Sequence, residues 1–198
     1  MSGPDVAAAL RRVLQATETS QQELDALDAI AGDGDHGVTM VLGWRAAVAA
    51  VAEPPASAGD ALRLAAQAFA GVGGTAGPLW GTALLRAGRV VGSGGSLAHA
   101  AQAAVEGMCT RGRCAEGDRT VVDAMAPAAR ALAAGGSLRA AAESAVRGAA
   151  ATASMKPKRG RAVRSPERVR GHVDAGARAA AIFWEGVAMC DTLPPQSI

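Results

Sequence analysis

Leu27-Asp28-Ala29-Ile30-Ala31-Gly32-Asp33-Gly34-Asp35-His36-Gly37 decides how this chain is read. Ahead of it a helical pattern carries Leu24 and Leu27, opened by Ser20-Gln21-Gln22-Glu23, which has the form of a capping box. Behind it, residues 38–52 form an apolar helical run that Glu53-Pro54-Pro55 breaks. The stretch is therefore a glycine-broken turn between helices, and it holds three carboxylates. Asp33 and Asp35 alternate with glycines, so the backbone can turn tightly and aim both at one point. Asp28, on the preceding helical turn, can join them. Carboxylates that converge repel one another unless a cation sits between them, and hard Mg²⁺ or Ca²⁺ suits oxygen ligands. The spacing is not that of an EF-hand. The alternative is a solvated acidic turn in which Asp caps a helix.

The same helical texture extends in both directions. Residues 6–16 place Val6, Leu10, Val13 and Leu14 near one face. Ser57 and Asp60 offer caps for a run over 60–71, and Ser96 and Ser137 each precede an Ala-rich run. Residues 120–134 and 173–190 complete the set. Arg89-Val90-Val91 is the best strand candidate and reads as the end of a helix. The expectation is an all-α chain of about eight helices joined by Gly-rich loops.

Composition narrows the function. Twenty Lys and Arg stand against 18 Asp and Glu, which argues against a surface built for nucleic acid or anionic membrane. Hydrophobic residues make up 49% and aromatics 3%, so Ala, Leu and Val must pack the core and few rings are left to stack on a base. No apolar run reaches ~18 residues, a secretory signal is absent from Met1-Ser2-Gly3-Pro4-Asp5, and the expected compartment is the cytoplasm. Cys109 and Cys114 lack a second pair at zinc-ligand spacing and read as reduced thiols.

Two further stretches bear on chemistry. Gly71-Val72-Gly73-Gly74-Thr75-Ala76-Gly77-Pro78-Leu79 frees backbone N–H groups to approach a phosphate, with Thr75 adding a hydroxyl. It lacks the Lys of a Walker A loop, and a close helix contact is its alternative. Residues 156–171 carry seven basic groups and one acidic. Arg161 or its neighbours can neutralise phosphates there, or the run is simply solvated. It has no aromatics, which disfavours single-stranded nucleic acid.

Taken together these residues resemble the nucleotide-binding L subunit, or Dak2 domain, of dihydroxyacetone kinases. The resemblance runs in order through Leu27–Gly37 and Met40, Gly73–Leu79, Gly117-Asp118-Arg119-Thr120 with Asp123 and Pro127, Gly160-Arg161-Ala162, and Gly171-His172-Val173-Asp174-Ala175-Gly176-Ala177. It implies one domain over 1–198, a barrel of eight mostly antiparallel amphipathic helices with the nucleotide site at one end. Asp28, Asp33 and Asp35 would be the Mg²⁺ ligands. ADP or ATP would contact His36, Gly37, Val38 and Thr39, then Gly74, Thr75 and Ala76. Gly112, Val121, Arg161, Asp174, Ala175 and Gly176 would line the rest.

The implied chemistry is phosphoryl transfer to a ketose held on a separate sugar-binding K subunit or domain, which is not expected within these 198 residues. Expected partners are that K subunit, a phosphocarrier subunit where ADP is kept as a coenzyme, and a second copy in a homodimer. No nucleic acid or membrane partner is expected. An ATP-dependent ketotetrose kinase is the alternative, as is a nucleotide- or lipid-binding or regulatory module. The chain departs from the family pattern at Thr39 (often Asn), at Ala175 (often Pro), at Ala162-Val163 (often Ser-Tyr) and at Pro166.

Overall fold

Ser2 opens the first helix with a reciprocal cap. Its hydroxyl accepts the Asp5 amide at 3.3 Å, and the Asp5 carboxylate accepts the Ser2 amide at 2.6 Å. From there a computed structural model describes residues 1–192 as nine α-helices with no strand. They are α1 (Gly3–Thr19), α2 (Gln21–Ala29), α3 (His36–Ala50), α4 (Ala58–Ala70), α5 (Ala76–Gly92), α6 (Leu97–Gly112), α7 (Val122–Ala133), α8 (Leu138–Ala151) and α9 (Ala175–Ala188). The last residues of the expected 1–198 span lie outside the described residues.

Ser57, Ser96 and Ser137 cap α4, α6 and α8 through their hydroxyls, as their spacing predicts. Ser20 does not act as a capping box. Its backbone lies at φ −102°, ψ 8°, its N–H is taken by Ala16 and Thr17 of α1, and its hydroxyl makes no cap bond to α2. Helix α2 follows α1 with a single residue between them, so Ser20 ends one helix while starting the next. It cannot take the extended backbone that a side-chain cap needs.

Eight of the helices close a ring, each packing on the next in the order α1, α3, α4, α5, α6, α7, α8, α9 and back to α1. This is the expected all-α barrel. Short α2 lies outside the ring, against α3 and α9. Small residues let the helices approach closely. A Cβ at Gly59 of α4 would stand 2.7 Å from the Gly92 Cα of α5, which makes glycine there a packing requirement. Among the described residues, all the Phe and Trp rings gather in the barrel interior. Trp44 meets Phe69 at 4.7 Å edge-on and stacks with Phe183 at 5.5 Å, while Trp80 lies 5.1 Å from both Trp44 and Phe183. Beside them is an apolar cavity of about 120 Å³, walled by residues such as Leu10, Leu84, Ala101 and Trp80.

Candidate functional site

At one end of the barrel the loops enclose a cavity of about 590 Å³, walled by the α2–α3 turn, the α4–α5 loop, the α6–α7 loop and the segment leading into α9. Its mouth carries the acidic cluster. Asp28 is half-buried, Asp33 and Asp35 are exposed, and each can offer a carboxylate oxygen within 4.8 Å of the other two. A donor set of this kind suits a hard divalent cation.

The local backbone explains the convergence. Gly34 adopts φ +77°, a conformation that strains an L side chain, and its amide donates to Asp28 Oδ2 at 2.9 Å. Gly32 leaves the space into which Asp28 points; a Cβ there would lie 2.5 Å from both carboxylate oxygens. Asp35 precedes α3 but makes no side-chain cap bond. Asp25 of α2 does that work instead, its Oδ1 accepting the Gly37 amide at 2.7 Å and the Val38 amide at 3.2 Å. The Asp35 carboxylate is thereby free to join the cluster.

Charge is unevenly distributed over the three acids. Arg161 pairs with Asp33 at 2.5 Å, and this hydrogen bond holds the Asp33 carboxyl below its usual range. The Asp35 carboxyl is pushed up, first by a hydrogen bond shared with Asp33, then by desolvation and the charges of Asp33 and Asp28. Burial pushes the His36 imidazole down, against the pull of Asp28, Asp35 and Asp25, and its Nε2 is buried without a partner.

Another part of the wall is formed by Gly74, Thr75 and Ala76, at the start of α5. No side chain caps this helix, so its positive end faces the cavity, and the exposed Gly74 and Thr75 leave the approach open. Gly112, Val121, Arg161, Asp174, Ala175 and Gly176 also stand in the wall, with His36 and Asp28. Asp174 caps α9, accepting the Ala177 amide at 3.0 Å, and burial pushes its carboxyl up to about 6 despite that bond and the nearby Arg119.

Gly37, Val38 and Thr39 are not brought into the wall. The first turn of α3 directs Gly37 onto α2, where a Cβ would strike the Gln21 carbonyl, and Val38 is exposed. Sequence reasoning assigned no role to several wall residues: Leu79, Trp80, Arg111, Cys114, Arg119 and Thr120. Arg119 and Thr120 lie in Gly117-Asp118-Arg119-Thr120, a motif that was visible but carried no assigned chemistry.

The DAK2 domain family model matches residues 30–189. The chain is 38% identical over 208 residues to the D-erythrulose kinase of Mycolicibacterium smegmatis, covering 96% of this chain and 36% of that protein. It is 32% identical over 176 residues to the ADP-binding subunit DhaL of PEP-dependent dihydroxyacetone kinase 1 of Listeria innocua, covering 86% of this chain and 87% of that subunit. The structure of the C. freundii dihydroxyacetone kinase in complex with AMP-PNP and Mg²⁺ superposes with a TM-score of 0.79 at 28% identity, over 93% of this chain and 33% of that one. The chain thus spans about a third of the erythrulose kinase and most of the DhaL subunit.

Proposed function

The chain belongs to the DAK2-domain family, that of the nucleotide-binding L subunits of dihydroxyacetone kinases, and from that premise we propose that it is the Mg²⁺-dependent, ADP- or ATP-binding part of a kinase for dihydroxyacetone or a related ketose. The observation that carries this reading is the convergence of Asp28, Asp33 and Asp35 at a cavity whose wall includes an uncapped helix start.

Phosphoryl transfer asks a protein for alignment and charge neutralisation more than for covalent chemistry. Asp28, Asp33 and Asp35 are the residues that would hold Mg²⁺, whose charge, when bound, offsets that of the phosphates. The α5 N-terminus and Thr75 receive phosphate oxygens. Arg161 leaves Asp33 for a phosphate once the carboxylate is otherwise neutralised. Val121 and the Asp174–Gly176 turn close the pocket behind the nucleotide. The ketose is held by a K subunit or domain docked over the open end.

Similarity to D-erythrulose kinase as well as to a dihydroxyacetone kinase subunit keeps a ketotetrose beside dihydroxyacetone as the acceptor, since the sugar is bound outside these residues. The test is the nucleotide that the purified chain retains with Mg²⁺, and its exchange. Non-exchanging ADP supports a coenzyme recharged by a phosphocarrier, whereas ready exchange with ATP supports an ATP-dependent kinase. Absence of any Mg²⁺-dependent nucleotide binding overturns the assignment.

A further inference from the structure

The segment 156–172 carries Arg161 over the cavity and then runs into the Asp174 turn, yet little of it is anchored by packing. Among its residues only Pro157 and Val169 are buried. Its placement therefore depends on polar ties, and most of these lead to two adjacent residues of the α6–α7 loop. At the front, the Asp118 carbonyl accepts the Lys158 amide at 3.1 Å. The Asp118 carboxylate pairs with Lys158 at 3.3 Å and Arg159 at 3.7 Å, and is itself fixed by the Ala115 amide at 3.0 Å. At the back, Arg119 Nη2 donates to the His172 carbonyl at 2.9 Å and the Val169 carbonyl at 3.4 Å, while Nη1 donates to Asp174 Oδ1 at 3.3 Å.

Arg119 is unusual in two independent respects. It is 4% exposed, and its backbone sits at φ +63°, which costs a non-glycine residue energy unless its surroundings enforce it. That twist allows neighbouring side chains to serve opposite ends of one segment. The buried Asp123 braces the loop, accepting the Gly117 amide at 2.5 Å and the Thr120 amide at 2.7 Å.

We infer that Asp118 and Arg119 form a positioning clamp: they grip both ends of segment 156–172 and so fix where Arg161 and the Asp174–Gly176 turn stand at the cavity. Neither residue needs to touch the nucleotide for this; Arg119 acts through Asp174 and the segment that bears Arg161. The inference rests on reading the cavity as a nucleotide site, but the clamp itself is testable without any nucleotide.

The experiment uses the full chain with Arg119→Gln, Arg119→Lys and Asp118→Asn. Asp118→Asn leaves the buried cation intact, so it stays informative if Arg119→Gln fails to fold. Amide exchange of 156–172 is followed by mass spectrometry in the absence of nucleotide. Mg-ADP affinity is measured by titration calorimetry, alone and combined with Arg161→Ala. Loss of charge-assisted bonds predicts that exchange in 156–172 accelerates by about tenfold or more in Arg119→Gln and Asp118→Asn, with α4 and α5 unchanged. Arg119→Lys, which keeps charge but loses the fork, recovers part of the protection. Affinity falls by a similar factor, and the loss is less than additive with Arg161→Ala, because both act through one group. Parental exchange in the segment, acceleration spread evenly over the barrel, or fully additive losses would overturn the clamp. If the unsubstituted chain binds no Mg-ADP, the nucleotide-site reading falls and the exchange data alone decide the clamp.

Discussion

Replacing Asp25 by Ala probes the reason the acidic cluster forms at all. Asp25 lies outside the cavity wall and outside the cluster, but its carboxylate accepts two amides of the first turn of α3 at 2.7 and 3.2 Å. Both donors belong to a helix whose own N-terminal residue, Asp35, makes no side-chain cap bond, so nothing local replaces them. The site is half-buried, and water can recover part of the loss. Loss of a helix cap under these conditions costs about 1–2 kcal/mol. For a chain of this size each kcal/mol lowers the melting temperature by about 2–4 °C, giving an expected drop of about 2–8 °C. Asp25→Asn, which retains one acceptor oxygen, should lose less. Thermal melts measure the stability, and amide exchange at Gly37 and Val38 measures the local effect. A variant that melts within a degree of the parent, with protection at both amides unchanged, would refute the idea that Asp25 caps α3 and frees Asp35.

Asp33→Asn and Asp35→Asn should each abolish Mg²⁺-dependent nucleotide binding in calorimetry while the fold persists, and Asp35→Asn, which removes a charge that Asp33 and Asp28 disfavour, should not lower the metal-free melting temperature; unchanged affinity in both would sink the metal assignment. Gly32→Ala places a methyl 2.5 Å from the Asp28 carboxylate, which is the movable end of a side chain, so Mg²⁺ affinity should fall by about tenfold or more while the fold persists. Equal metal affinity would show that Asp28 is not a ligand. Asp174 releases its proton near 6 in the folded chain and near 3.8 when unfolded, so between those values the folded chain binds more protons and the group's contribution to stability declines as pH rises. Asp174→Asn keeps a capping side chain and removes that decline; its melting temperature relative to the parent should climb from about pH 4 to about pH 7, and a pH-independent difference would contradict the shift.

Much of this architecture was legible because it rests on local signals. Ser57, Ser96 and Ser137 stand at helix starts where nothing precedes them that could compete for the backbone. Ser20 carries the same signal but is wedged between two helices, and its backbone is already committed to the first. The true reciprocal cap, Ser2 with Asp5, uses Asp where the pattern seeks Glu or Gln. The acidic cluster was readable from the alternation of Asp and Gly. Asp25 was not, because its partners lie 12 and 13 residues away and are amides, which leave no mark in side-chain chemistry. Arg119 was hidden for a related reason. Its partners are 50 to 55 residues distant and two of them are carbonyls, so the motif that contains it gives no sign of what its guanidinium holds.

The closure of the ring has a kinetic consequence. Most neighbouring pairs around the barrel are also neighbours in sequence, and such contacts form early and at little entropic expense. The α1–α9 seam is different, since it joins the two ends of the helical series across nearly the whole chain. The entropy of closing so long a loop grows only logarithmically with its length, but it must be met before the seam returns any packing energy. Assembly should therefore proceed as a growing open array that is sealed last where Gly186 presses on the Val13 backbone, 2.7 Å from the Val13 Cα to where a Cβ would sit. Bulk added at that seam would act mainly on the lifetime of the sealed barrel and leave its rate of assembly nearly unchanged.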